Sequence, residues 1–197
     1  AREHSICWAV KKSKACKKLF CSPGNAGIEK VAECKFINLK KKIHILNFCK
    51  KNSIDLVIVG PEEYLADGVS DYLQARGIKT FGPIKKAAKL ETSKSFAKSF
   101  LLKNKILTPK YRKFVTSNKA LNYLSSLNFP IVIKADGLAA GKGVVICKNF
   151  SQAEQTIKLM MEKKKFGDAG KKIIIEEFID GFEISYFSFF DKKTFLP

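Results

Sequence analysis

The sequence predicts an α/β chain: a doubly wound parallel sheet, then a second domain built around a two-stranded lid. Three observations carry that expectation. Residues 1 to about 83 alternate short apolar runs with amphipathic stretches, the order that buries a parallel sheet between two helical layers. Two of those runs end in glycine-bearing turns, Pro23-Gly24-Asn25-Ala26-Gly27 and Gly60-Pro61-Glu62. Further on, the apolar run from Ile131 passes through Lys134, Asp136, Gly137, Gly141, Lys142 and Gly143 and re-enters an apolar run at Val144 to Cys147. That is a strand, a glycine-rich turn and a strand.

Taken in order, Lys18 to Cys21 reads as a short strand ending at the Pro23–Gly27 turn, and Phe36 to Leu39 as a second. Residues 41 to 52 form a lysine-rich helix. Leu56 to Val59 is a continuous apolar run of the kind a buried parallel strand needs. Leu65, Val69, Tyr72 and Leu73 recur at helical spacing, and Arg76-Gly77 closes that helix before a strand at Lys79 to Phe81. Gly82-Pro83 marks the linker.

Residues 85 to 104 then read as one helix, with Ala87, Ala88, Ala97, Phe100 and Leu101 facing inward. From 113 to about 176 the order is strand, helix 117–127, hairpin, helix 151–161 and a strand to Ile175. Ser151 with Glu154 suggests a capping box, and Ala153, Ile157, Met160 and Met161 give that helix one apolar face. Phe166 to Gly170 is a glycine-punctuated loop, and Ile184 to Phe190 begins a strand of a larger sheet.

The hairpin turn suits polyphosphate. Glycines let backbone N–H groups approach closely, and lysines neutralise charge. It is not a P-loop of the Walker type: three residues, not four, separate Gly137 from Gly141, Gly143 stands where a hydroxyl is needed, and a strand follows. A flap over phosphates fits better, although a solvent-exposed hairpin with an incidental lysine would read the same. Downstream, Lys172 to Ile175 leads into Glu176-Glu177-Phe178-Ile179 and then Glu183. A strand exit of this kind offers backbone groups to an adenine edge and a carboxylate to ribose hydroxyls. Taken alone, acidic residues at a strand end more often belong to a solvated turn.

Together the flap and the acidic strand exit resemble the ATP-grasp arrangement. The ordered blocks Arg2-Glu3-His4, Pro23 to Gly27, Val59 to Glu62, Phe81-Gly82-Pro83, Ser93-Lys94-Ser95-Phe96-Ala97-Lys98, Ile133 to Gly143, Phe166 to Gly170 and Ile175 to Gly181 resemble the phosphoribosylamine–glycine ligase family over nearly the whole chain. The resemblance implies a Rossmann-like substrate domain over 1–83 and an incomplete ATP-grasp domain over 84–197, with its lid at about 113–176. It also implies a longer parent. The chain opens at Ala1 and stops at Pro197 after an apolar stretch, so a first strand with a glycine turn, and the whole C-terminal half, are expected to lie outside it.

By the same resemblance, Arg2, Glu3, His4, Gly24, Asn25, Ala26, Gly27, Gly60, Pro61 and Glu62 would form the phosphoribosylamine pocket, with amides for the 5′-phosphate and Glu62 for ribose. Lys94, Lys134, Asp136, Gly137, Gly141, Lys142 and Gly143 would face ATP phosphates, with Lys134 and Lys142 as the catalytic pair. Glu176, Glu177, Phe178 and Ile179 would hold adenine, and Glu183 the ribose. The implied reaction phosphorylates glycine with ATP, and the amine of phosphoribosylamine attacks the glycyl phosphate. Magnesium or manganese would take ligands in the absent half, so no metal ligand is expected in this stretch, which is expected to be inactive alone. A monomer is implied.

Composition narrows the alternatives. The net charge is +19, yet only Arg2, Arg76 and Arg112 are arginine among 37 basic residues. A nucleic-acid surface favours arginine forks and interleaved aromatics; here lysines are spread along the whole length. Neither nucleic acid nor membrane is an expected partner, and no apolar run reaches the ~18 residues of a membrane span. The six cysteines show no zinc-knuckle spacing, and most, beside apolar neighbours, read as small buried hydrophobes in a reducing compartment, which suits a cytoplasmic protein. The rivals are another ATP-grasp carboxylate–amine ligase or carboxylase, and a non-enzymatic basic nucleic-acid-binding protein.

Overall fold

The computed structural model describes residues 2–139, 141–190 and 194–196; Ala140, within the glycine-rich turn, lies outside the described residues. The fold is α/β, and the chain divides into two compact units. The first holds residues up to Ile106 together with Asp136–Leu138, and the second holds Leu107–Ala135 and the chain from Ala139.

The first unit opens with helix α1 (Arg2–Lys11), which buries Cys7 and for which the sequence reading had no counterpart. Strands β1 (Phe20–Cys21) and β2 (Glu33–Cys34) pair in parallel, as do β3 (Leu56–Ile58) and β4 (Lys79–Phe81). Helix α2 (Lys42–Lys51) buries Ile45, Leu46 and Cys49 against Val69 and Leu73, with Val57, Val59, Tyr72 and Ile78 packed around them. The parallel pairing matches expectation, but β3 is not the fully buried strand expected: Leu56 is 52% exposed. The two parallel pairs form separate two-stranded sheets, and no described strand joins them, so neither pair is covered on every side.

Three boundaries differ from the sequence reading. The strand expected at Phe36–Leu39 lies earlier, at Glu33–Cys34. β1 stops before Pro23, which has no N–H to offer; Ile37 N–H instead donates to Ser22 Oγ and Phe36 is exposed. The helix through Leu65 and Leu73 breaks into α3 (Glu62–Asp67) and α4 (Val69–Gln74) where Gly68 turns left-handed. The long helix expected over 85–104 is two, α5 (Lys85–Thr92) and α6 (Lys94–Lys103), because Ser93 is extended at φ −137° and caps α6 through the Phe96 N–H. Of its expected inward residues Ala88 is buried, whereas Ala87 and Phe100 are exposed.

The second unit is an antiparallel sheet in the order β5-β8-β6-β7, formed by β5 (Tyr111–Phe114), β6 (Ile131–Ala135), β7 (Val144–Cys147) and β8 (Ile173–Glu177). Helices α7 (Ser117–Leu124) and α8 (Phe150–Ile157) cover one face. Alternation decides that face: Ile131, Ile133 and Ala135 point inward with Ile173, Ile175, Phe114, Ala120, Leu124, Ile157 and Met160. Burying a side chain of this size is worth about 1.5–3 kcal/mol, so this cluster sets the register, and a slip of one residue would expose it.

The cap of α8 is Asn149, accepting from Gln152 N–H, while Gln152 Oε1 accepts from Lys148 N–H. Ser151 is therefore inside the helix, and Glu154 pairs with Lys158 instead of capping. The apolar face of α8 is as expected and continues into a π turn at Lys158–Glu162. Gly167–Lys171 is a 3-10 turn in place of a loop. Beyond β8, pairing resumes only at β9 (Phe189–Phe190), antiparallel to β10 (Phe195–Leu196). Ile184 to Ser188 are not in a strand, since no described strand lies alongside them.

Candidate functional site

The first unit gathers three of the expected blocks. Arg2, at the start of α1, reaches Glu62 at 3.6 Å. Gly60 lies so close to Glu3 that a Cβ there would stand 3.4 Å from Oε1, and at Gly27 a Cβ would stand 3.0 Å from the His4 ring. The start of α1 is thereby set against both glycine turns. A cleft of about 330 Å³ is lined by Arg2, Gly60 and Glu62, with Leu65, Pro83 and Glu91 among its other walls.

The Pro23–Gly27 turn is held by its own side chains. Asn25 Oδ1 accepts from the N–H groups of Gly27 and Ile28, at 3.0 and 3.1 Å, and the buried Ile28 anchors the segment. Gly24 is left-handed at φ +84°, and any Cβ there would fall onto Cys34, so only glycine fits. Cys21 and Cys34 are register partners on β1 and β2. Burial, reinforced by Cys7 and Cys34 nearby, pushes the Cys21 thiol up to about 11. Cys7, Cys49 and Cys147 are buried and also raised by burial, while Cys16, Cys21 and Cys34 are half-exposed and so depart from the buried reading.

Also within the first unit, Asp136–Gly137 meets the start of α6. The Asp136 carboxylate accepts from Ser95 N–H at 2.6 Å, from Ser95 Oγ at 2.7 Å and from Ser93 Oγ at 3.3 Å. Lys94 N–H donates to the Asp136 carbonyl at 3.1 Å, and Lys94 Nζ donates to the Gly137 carbonyl at 3.2 Å. Asp136 is buried. In the sequence Ser93 and Ser95 stand only within the Ser93–Lys98 block, because 85–104 reads as one helix and hides the helix start at which their hydroxyls act.

The second unit carries Lys134 on the sheet face opposite its helices. Val132 is the register partner of Glu176, which makes Lys134 the diagonal neighbour of that acid. Lys134 Nζ lies 2.7 Å from Glu176 Oε1, and the carboxylate is buried. Val144 and Ile146 on β7 are the register partners of Lys134 and Val132, and both are about half exposed. Glu177 is tied to the start of β5: its N–H donates to the Lys110 carbonyl and its carboxylate accepts from Lys110 N–H. Phe178 and Ile179 follow, the latter 61% exposed.

The hairpin closes tightly. Ala135 N–H donates to the Gly143 carbonyl at 2.8 Å, and Lys142 N–H to Ala139 at 2.9 Å. A Cβ on Gly143 would stand 2.6 Å from the Ala139 Cβ, so a side chain there would force the turn open. Lys142 and Glu183 are exposed. Among the described residues no cluster of three or more His, Cys, Asp or Glu is arranged to hold a metal ion.

Two family profiles cover the chain: the N domain of phosphoribosylglycinamide synthetase over residues 1–91 and its ATP-grasp (A) domain over 92–197. The chain belongs to the phosphoribosylglycinamide synthetase family. Similar relatives include a phosphoribosylamine–glycine ligase of Clostridium acetobutylicum, 46% identical over all of this chain and 47% of its own. Another, from Fusobacterium nucleatum, is 47% identical over all of this chain and 46% of its own. A solved phosphoribosylamine–glycine ligase from Thermotoga maritima superposes with a TM-score of 0.79 at 27% identity, covering 98% of this chain and 46% of that one. This member of the synthetase family thus spans about half the length of the relatives it matches.

Proposed function

We propose that this chain is the part of an ATP-dependent carbon–nitrogen ligase that binds phosphoribosylamine and carries the lid over ATP. The whole enzyme joins glycine to 5-phosphoribosylamine, giving glycinamide ribonucleotide, ADP and phosphate in purine synthesis. The observation that carries this reading is the Lys134–Glu176 pair. It sets the cation entering the glycine turn beside the acid that opens the Glu176–Ile179 segment, on strands of one rigid sheet.

In this reading, residues 1–83 form the substrate domain. Arg2, Glu3, His4 and the Gly24–Gly27 and Gly60–Glu62 turns take the phosphoribosyl group, with Glu62 accepting from ribose hydroxyls and Arg2 orienting that carboxylate. Residues 84–197 belong to the ATP-grasp domain, with the lid at about 113–176. Lys94, Lys134, Lys142 and the Gly137, Gly141 and Gly143 amides meet the phosphates. Backbone groups of Glu176–Ile179 meet adenine, and Glu183 the ribose. Glu177 serves through its clamp on Lys110, which fixes where the strand exit begins.

Amide formation from a free acid is uphill in water, so the acid is first activated as glycyl phosphate. That species hydrolyses readily, and a glycine-turn lid that excludes water protects it. A bound magnesium or manganese ion would neutralise phosphoryl oxygens; its ligands are expected in the part of the family proteins that this chain does not span. No helix among the described residues is long and apolar enough to cross a membrane. A cytoplasmic monomer with small-molecule partners, and no nucleic acid, fits the reading.

The test uses a full-length protein containing these residues, following ADP release with ATP and magnesium while glycine and phosphoribosylamine are added separately and together. Release that requires both supports the assignment. Release with a different acid or amine keeps the ATP-grasp fold and discards the substrates.

A further inference from the structure

We propose that Asp136 is a positioning residue whose carboxylate fastens the base of the glycine loop to the first turn of α6. In this role it does not touch the nucleotide or its metal. The proposal rests on the reading of this loop as the phosphate flap, and the experiment below separates the two.

The first four N–H groups of any helix have no acceptor within the helix. In α6 three of them are accounted for. Lys94 N–H goes to the Asp136 carbonyl, Ser95 N–H to Asp136 Oδ1 and Phe96 N–H to Ser93 Oγ. Two of the three acceptors thus come from one residue more than 40 positions downstream. The Ser95 hydroxyl bonds the second carboxylate oxygen, so both oxygens are engaged at once. A carboxylate at a helix N-terminus is also favoured by the aligned peptide dipoles. The positive end of α6 is therefore already satisfied by Asp136, and this argues against its serving as a phosphate cradle.

The consequence concerns the loop. Strand β6 ends at Ala135 and the loop begins at Asp136. Asp136–Leu138 belongs to the first unit, while Ala139 onward returns to the second. The clamp therefore acts where the chain passes from strand to flap. It also fixes Lys94, whose ammonium is turned onto the Gly137 carbonyl. Loss of the clamp would free both the flap base and Lys94, each a part of the proposed phosphate site, while leaving Lys134 on its strand.

The experiment compares Asp136→Ala, Ser95→Ala, the double variant and Asp136→Asn in a full-length protein. Asparagine keeps an acceptor for Ser95 N–H and offers its amide to the Ser95 hydroxyl, so it retains the clamp without the charge. A clamp predicts that Asp136→Ala and Ser95→Ala each lower kcat/KM for ATP by about ten- to a hundredfold. The double variant should be no worse than the poorer single one, and Asp136→Asn should lose clearly less than Asp136→Ala, with the KM for glycine unchanged. Amide exchange at Ser95, Phe96 and Gly137–Gly143 should quicken in both alanine variants.

An Asp136→Asn variant as poor as Asp136→Ala, beside a silent Ser95→Ala, would overturn the proposal and make the carboxylate a direct ligand. Unchanged exchange in the loop would overturn it as well. If the wild-type protein neither binds nor turns over ATP, the functional reading fails, and the exchange comparison still decides whether the clamp exists.

Discussion

Lys134 and Glu176 form a diagonal cross-strand pair, Nζ to Oε1 at 2.7 Å, with the carboxylate buried and the lysine side chain 28% exposed. An ammonium held against a buried acid is structural as well as chemical. Removing the lysine takes the counter-charge away from a buried side chain, which is costly.

Lys134→Ala is therefore expected to lose stability as well as activity, by about 2–4 kcal/mol in urea unfolding. Lys134→Met combined with Glu176→Gln should recover most of that stability and none of the ATP turnover. Equal stability loss in the single and double variants would count against the pair.

At Arg2 and Glu62 the expectation is the reverse. This pair is 3.6 Å apart and well exposed, and such contacts are worth about 0–1 kcal/mol. Glu62→Gln should leave the melting temperature nearly unchanged while raising the KM for phosphoribosylamine. A large melting shift with an unaltered KM would remove Glu62 from the substrate pocket.

Gly143 tests the tight hairpin. Gly143→Ala would drive a Cβ onto Ala139 and Ala135, and overpacking of this kind costs about 1–3 kcal/mol. Gly141→Ala meets no atom within 4 Å, although its φ of +76° disfavours alanine. Urea midpoints of the two variants, compared with wild type, should place Gly143→Ala lower because it adds a clash with two neighbours.

The thiols give a pH prediction. Burial, then the neighbouring Cys7, holds the Cys21 thiol at about 11, above its ordinary value of 9.0. The folded state thus binds this proton more tightly than the unfolded chain does. The contribution is complete below pH 9 and disappears as pH rises through 11. Unfolding midpoints should fall across that window more steeply in wild type than in Cys21→Ala. At pH 8 iodoacetamide should label Cys21 more slowly than an unfolded thiol.

Periodicity and turn chemistry are local properties, and the features that depend on them were legible in the residue order. The parallel pairing of Leu56–Ile58 with Lys79–Phe81, the β6–β7 hairpin and the inward face of α8 all follow from apolar spacing and glycine placement. The glycine and lysine placement also marked where a phosphate-binding turn could lie, because close backbone approach and positive charge are local features of a strand end.

Tertiary structure alone decided the rest. The break at Ser93 was invisible in the helical pattern of 85–104, since Asp136, far along the chain, satisfies the amides that the break exposes. The true cap at Asn149 defeated Ser151 because either residue type can cap, and only the backbone angle chooses between them. The meeting of Arg2, Glu3 and His4 with Gly60, Glu62 and Gly27 could not be read from spacing either. Those contacts are long-range, and whether two distant segments touch depends on how helices and sheets pack, which no local pattern encodes.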